Sequence, residues 1–225
     1  MIYSLKYVVL TGLLFASVLF PAENGHAQAL EVEFIGNEAF RIRDGDHTIM
    51  TDFPYKSGAY GYMEYEYSLP AETQNVAALI THRHEDHFAP LLFIERGWSL
   101  IGPAEITAMM PRSKVIPFTD RITFGAAEIT PVKAAHANVE HYTYLVNWQN
   151  KKLFFTGDTE QLAVLKSLPE LEALFITPWF YRKAILNQAL PAAKKIIIYH
   201  HTKDEIVPKC GDCIIPLQGQ IIILE

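Results

Sequence analysis

Cysteine is scarce in this chain, with two in 225 residues, and basic runs, internal repeats and low-complexity segments are missing altogether. A single Cys210-Gly211-Asp212-Cys213 pair leaves no second pair to complete a cysteine-rich structural zinc site. A thioredoxin-like redox site needs a helix after its first cysteine, and Ile214-Ile215-Pro216 reads as extended instead. A disulfide closing that short loop is the expected state in an exported protein. Net charge is −6, with 19 basic against 25 acidic side chains. An acidic chain without basic clusters makes a poor nucleic-acid partner.

The apolar run from Tyr7 to Phe20 follows Lys6 and precedes the small-residue sites Gly25-His26-Ala27 and Ala27-Gln28-Ala29. This layout predicts a signal peptide over residues 1–29, removed after Ala27 or Ala29. The alternative is an uncleaved anchor, since Tyr3 to Phe20 is almost long enough to span a bilayer. A cleaved product would be periplasmic or secreted, without stable membrane insertion. Residues 30–225 then form one domain of about 196 residues, long enough for a sizeable core.

The chemistry concentrates in Thr81-His82-Arg83-His84-Glu85-Asp86-His87, which follows the apolar run Val76-Ala77-Ala78-Leu79-Ile80. That order reads as a buried strand feeding a polar loop, with a helix from Phe88 to Glu95 after it. His82 and His84, two apart, project to one side of an extended loop, while Asp86 and His87 lie past a bend. Two groups of imidazole and carboxylate donors suggest two metal positions, suited to zinc, manganese or iron. The competing reading makes Asp86 an N-cap, with Pro90 in the first helical turn.

The His-x-His-x-Asp-His spacing after a hydrophobic strand resembles the signature of the metallo-β-lactamase superfamily, mostly hydrolytic enzymes with an αββα sandwich, a layered α/β fold. Other marks of that family occur in order: His136 in Ala134-Ala135-His136, Asp158 in Phe155-Thr156-Gly157-Asp158-Thr159, and a histidine after the strand Lys195–Tyr199. The resemblance implies one divalent ion on His82, His84 and His136, a second on Asp86, His87 and His200, and Asp158 bridging them. His201 is the alternative to His200, and adjacent side chains on extended backbone point apart. By the same resemblance Asp86 also orients the nucleophile, and a hydroxide generated at the metals attacks a carbonyl or phosphoryl centre. Asp52, at a strand end, would stand behind a ligand imidazole, or else only initiate a turn.

Within the superfamily, Asp158 stands where true zinc β-lactamases resemble Cys or Ser, so antibiotic hydrolysis drops. The compact plan and the Gly157-Asp158-Thr159 motif look most like the branch containing L-ascorbate-6-phosphate lactonase and N-acyl phosphatidylethanolamine phospholipase D. The expectation is a small-molecule ester, lactone or phosphodiester. A di-iron redox protein of the same fold and a non-catalytic, metal-stabilised binding protein are the rivals. His141 is read as a catalytic group that binds substrate or stabilises the charged transition state, with a capping or surface role as its alternative. The tyrosine-rich segment Tyr55–Tyr67 suggests a substrate lid, or a plain hairpin. Further helices are expected over Ala104–Met110, Gln161–Ser167 and Ala184–Ala189, with Pro178–Tyr181 walling the pocket or packing in the core.

Overall fold

The computed structural model describes residues 29–64, 75–202, 204–207 and 210–225. The signal-or-anchor segment and the tyrosines Tyr65 and Tyr67 lie outside these residues. Among the described residues no helix is long and apolar enough to cross a membrane.

The described residues form thirteen strands and three α-helices in chain order: β1 Leu30–Gly36, β2 Ala39–Arg43, β3 Thr48–Thr51, β4 Val76–Leu79, α1 Pro90–Ile94, β5 Ser99–Ile101, α2 Ala104–Thr107, β6 Ile122–Phe124, β7 Ala127–Lys133, β8 Tyr142–Trp148, β9 Lys151–Phe155, β10 Leu171–Ile176, α3 Pro178–Leu186, β11 Ala193–Ile198, β12 Cys213–Ile214 and β13 Ile221–Leu224. One sheet has the order β13-β1-β2-β3-β4-β5, the other β12-β11-β10-β9-β8-β7-β6. Both are mixed: β3-β4-β5 and β9-β10-β11-β12 run parallel, while the remaining neighbours are antiparallel.

Three apolar cores define four layers. Between the sheets lie Val32, Phe34, Phe40, Leu79, Val146, Leu153, Phe175 and their neighbours. Outside the first sheet Val76, Ala78 and Ile80 pack with Phe93 of α1 and Ile106 of α2. Outside the second sheet Phe154, Leu174 and Ile176 pack with Phe180 and Ala184 of α3. Strand β4 therefore buries both faces, Ala77 and Leu79 inward and Val76, Ala78 and Ile80 outward, which is why its sequence is a continuous apolar run and not an alternation. This is the αββα sandwich.

The helices are shorter than the apolar pattern suggests, and one lies elsewhere. Pro90 occupies the first turn of α1, so Phe88 and Ala89 stay outside it. Its N-cap is Ala89, with no side-chain cap, so Asp86 is not a capping residue. The stretch expected as helix over Gln161–Ser167 is a 3-10 turn at Leu162–Leu165. Helix α3 begins at Pro178 instead of Ala184 and continues only to Leu186, because proline without an N–H fits the first helical position. Phe180 and Tyr181 are thereby buried on the inner face of α3, leaving Trp179 beside His200 at 5.3 Å between ring centroids. Cys210 and Cys213 are joined as a disulfide, with Cα atoms 5.3 Å apart, inside the usual range.

Two polar ties cross the interior. The Tyr144 hydroxyl on β8 donates to the Ile80 carbonyl at 2.7 Å, and the Trp148 indole donates to Asp44 at 3.0 Å. The first fixes the end of β4, where the histidine-rich loop begins. The C-terminal ends of β3, β4, β7, β9 and β11 and the β1–β2 turn all meet at one edge, the usual place for chemistry in an open α/β architecture.

Candidate metal centre

The loop after β4 brings His82, His84, Asp86 and His87 to that edge, the loop after β7 His136, the loop after β9 Asp158, and the end of β11 His200. His82, His84, His136 and Asp158 each offer one ligand atom within 4.8 Å of the others, as do Glu38, His87, Asp158 and His200. Asp158 belongs to both groups. Its Oδ2 lies 3.6 Å from His136 Nε2, 3.9 Å from His82 Nε2 and 3.4 Å from His87 Nε2, while its Oδ1 lies 3.2 Å from His200 Nε2. Asp86 Oδ2 stands 3.6 Å from both His87 Nε2 and His200 Nε2.

Of the two C-terminal histidines, His200 enters the site. It is buried, with φ +58°, and its Nδ1 meets the Asn37 side-chain oxygen in a short contact. With Nδ1 donating to Asn37, the Nε2 lone pair is left for a cation. Asn37 also donates to the Asp86 carbonyl at 2.8 Å, so one turn residue ties both segments together. His201 is half-buried, and its Nδ1 lies 3.2 Å from the Thr202 carbonyl oxygen.

Thr81 organises two more imidazoles. Its hydroxyl lies 3.0 Å from Asp52 Oδ2, 3.0 Å from His82 Nδ1 and 3.4 Å from His87 Nδ1. A hydroxyl has one proton and two lone pairs, so donation to Asp52 leaves it to accept from both rings. His82 Nε2 then keeps its lone pair, His87 Nε2 gains one when a cation displaces its proton, and both face the carboxylate of Asp158. Asp52 also accepts the Thr81 backbone N–H at 2.7 Å and approaches His87 Nδ1 at 3.3 Å, the supporting position implied by the family pattern. Thr81→Val keeps the shape and removes the hydroxyl. Metal affinity is expected to fall about 10- to 100-fold, read by titration against a chromophoric chelator.

The electrostatics favour a cation. Burial holds the His82, His84 and His136 pKa values below the usual imidazole range, most strongly at His82, so these rings are neutral donors at pH 7. Burial alone would lower His87 too, but Glu38, Asp158 and Asp52 outweigh it and hold that ring well above the usual range. Burial would raise Asp158, yet His200 and His87 outweigh it and keep the carboxylate ionised. Among the described residues, Glu38 Oε1, Asp86 Oδ1, His87 Nε2, His136 Nε2, Asp158 Oδ1 and His200 Nε2 are buried without a hydrogen-bond partner. Orphaned lone pairs of mixed nitrogen and oxygen type, converging at ligand-to-ligand distances, fit a metal-binding centre.

His141 is not at the open face. It is fully buried, and its Nε2 accepts the Asp158 backbone N–H at 3.1 Å. That placement corrects the reading of His141 as a group that meets substrate: it holds the Asp158 loop from behind. Burial lowers its pKa to about 4. A histidine kept neutral in the fold contributes stability above its unfolded value near 6.5, and that contribution is lost as pH falls from there through 4. The stability advantage of the metal-free protein over His141→Gln is therefore expected to shrink by roughly 3 kcal/mol as pH falls from 6.5 to 4. Urea unfolding at a series of pH values measures it.

The tyrosine segment divides. Tyr55 is a core residue whose hydroxyl donates to the Met63 carbonyl at 2.9 Å, so it is no part of a lid. Tyr60 is exposed and lies 6.4 Å from the His84 ring, and Tyr62 packs 4.1 Å from the His200 ring. A cleft of about 700 Å³ opens beside Tyr62, bounded by Met63, His201, Ile215, Pro216 and Leu217. Glu38, Asn37 and Thr81 are the site residues that the sequence alone did not single out.

Comparison with known proteins agrees with this geometry. Residues 31–177 match the family model of the beta-lactamase superfamily domain, a stretch that includes every centre residue except His200. Over 159 residues the chain is 26% identical to a UPF0173 metal-dependent hydrolase of Natranaerobius thermophilus, covering 65% of this chain and 68% of that relative. The fold is shared with Igni18, a metallo hydrolase of Ignicoccus hospitalis, at a TM-score of 0.65 and 14% identity, covering 88% of this chain and 99% of that one. It is shared likewise with the metallo-beta-lactamase fold protein YhfI of Bacillus subtilis, at 0.64 and 15% identity, over 87% and 99%. With its two-sheet sandwich and its histidine and carboxylate clusters at one edge, the chain belongs to the metallo-β-lactamase superfamily, as one of its metal-dependent hydrolases.

Proposed function

We propose that this protein is an exported hydrolase with a dinuclear centre, acting on a small ester, lactone or phosphodiester. The observation that carries the reading is Asp158, whose two oxygens stand between the imidazoles of His82 and His136 on one side and His87 and His200 on the other. A carboxylate so placed would be shared by two cations, the arrangement used by two-metal hydrolases. His82, His84 and His136 would hold one ion, Asp86, His87 and His200 the other. Bound there, zinc or a similar ion lowers the pKa of water toward ~7 and polarises the substrate oxygen.

The chain's own groups supply geometry and proton handling. Thr81, Asp52 and Asn37 fix imidazole tautomers, and His141 fixes the loop that carries Asp158. Asp86 Oδ1 is buried without a partner and is placed to accept a proton from the attacking water. Tyr60 and Tyr62 flank the centre, and Met63, Ile215 and Leu217 in the mixed polar and apolar cleft beside Tyr62 would meet the uncharged part of an ester or lactone. Residues 1–29 would direct export, with 30–225 as the hydrolase domain. The test is turnover of lactone, carboxylic ester and phosphodiester substrates by chelator-stripped and zinc- or manganese-reloaded protein. Turnover of one class by the reloaded protein alone is expected; equal rates in both forms would remove the proposal.

A further inference from the structure

One buried carboxylate in the second ligand group comes from an unexpected place. Residues Asn37 and Glu38 form the turn between the paired residues Gly36 and Ala39, where β1 reverses into β2. Turn carboxylates are ordinarily solvated, yet the Glu38 side chain is fully buried, with Oε2 against His87 and Oε1 without a hydrogen-bond partner. Burying a carboxylate with one oxygen left over is costly, so a site that retains one has charge to meet it. Its neighbours show where that charge belongs. Oε2 lies 3.0 Å from His87 Nδ1, and Oε1 turns toward the metal-facing Nε2 of His200 at 3.8 Å. The proton on His87 Nδ1 already has acceptors in Thr81 Oγ1 at 3.4 Å and Asp52 Oδ2 at 3.3 Å. Glu38 also shares the 4.8 Å span of ligand atoms with His87, Asp158 and His200.

We propose that Glu38 is a ligand of the second ion, through Oε1, alongside His87, His200, Asp158 and Asp86. This rests on the two-ion reading above. The two positions are then chemically unlike: the first has three imidazoles and the bridging carboxylate, whereas the second has two imidazoles and three carboxylates. Oxygen donors suit harder ions, so the second position discriminates less against manganese relative to zinc than the first does.

Glu38→Gln keeps the shape and removes the charge. Its affinity for the second zinc is expected to drop at least 10-fold in a two-site titration, with the first site unchanged. A crystal structure of the zinc-loaded wild type is expected to place a Glu38 oxygen about 2.0–2.2 Å from the second ion. Two bound ions with both Glu38 oxygens beyond 3 Å would overturn this inference alone, leaving the dinuclear reading intact. A wild type that binds a single ion on His82, His84 and His136 would overturn both.

Discussion

Asp158→Ala is expected to lower kcat/KM by at least about 10³-fold, roughly 4 kcal/mol of transition-state stabilisation, while the protein stays folded. Among the described residues no other side chain offers an oxygen to both ligand groups at distances of 3.2 to 3.9 Å. The His87 and His200 imidazoles that keep this carboxylate ionised lose their common anion in the variant. Two cations without a bridge repel each other, so the loss should extend to metal content, with the weaker site emptying first. Asp158→Asn separates size from charge and is expected to be nearly as inactive. Steady-state rates and elemental analysis on the same preparations decide the matter; a variant with a tenth of the wild-type activity and full metal content would remove Asp158 from the centre.

The second large effect is structural. Gly157 has φ +55°, and a Cβ there would meet His141 Nε2 at 2.4 Å and Thr81 Cβ at 3.1 Å. His141 cannot swing aside, since its ring is buried and its Nε2 accepts the Asp158 N–H. Gly157→Ala therefore combines left-handed backbone strain of about 1–2 kcal/mol with overpacking of about 1–3 kcal/mol. The expected loss in unfolding free energy is about 2–5 kcal/mol, and relief of the clash displaces Asp158 as well. Urea unfolding of the metal-free protein measures the first part and zinc affinity the second. A loss below about 1 kcal/mol would mean that the loop has another conformation available.

Much of the sandwich was legible because β4 is a continuous apolar run and the strands around it alternate or pair through short turns. The loop ligands were legible for a different reason. His82, His84, Asp86 and His87 lie in one short stretch, so their convergence needs only local backbone geometry. His136, Asp158 and His200 came from the family pattern, and the structure brings them to the same edge. What could not be read depends on burial. Glu38 and Asn37 look like ordinary hairpin-turn residues, and only the packing of β1 beside the His87 loop shows that their side chains are enclosed. Tyr55 was indistinguishable from Tyr60 and Tyr62 until its neighbours were known, although one is core and the others flank the site. His141 was misread as open to substrate because its partner, the Asp158 amide, is remote in sequence. The start of α3 had a local signal in Pro178, which suits a first helical turn.

Metal stoichiometry bears most directly on the paired centre. Wild-type protein stripped with chelator, reloaded with zinc and freed of excess ion is expected to hold close to about two ions per chain by elemental analysis, and His200→Ala close to about one. A wild type that saturates at a single ion, or a His200→Ala variant that still holds both, would contradict the arrangement in which Asp158 stands between two cations.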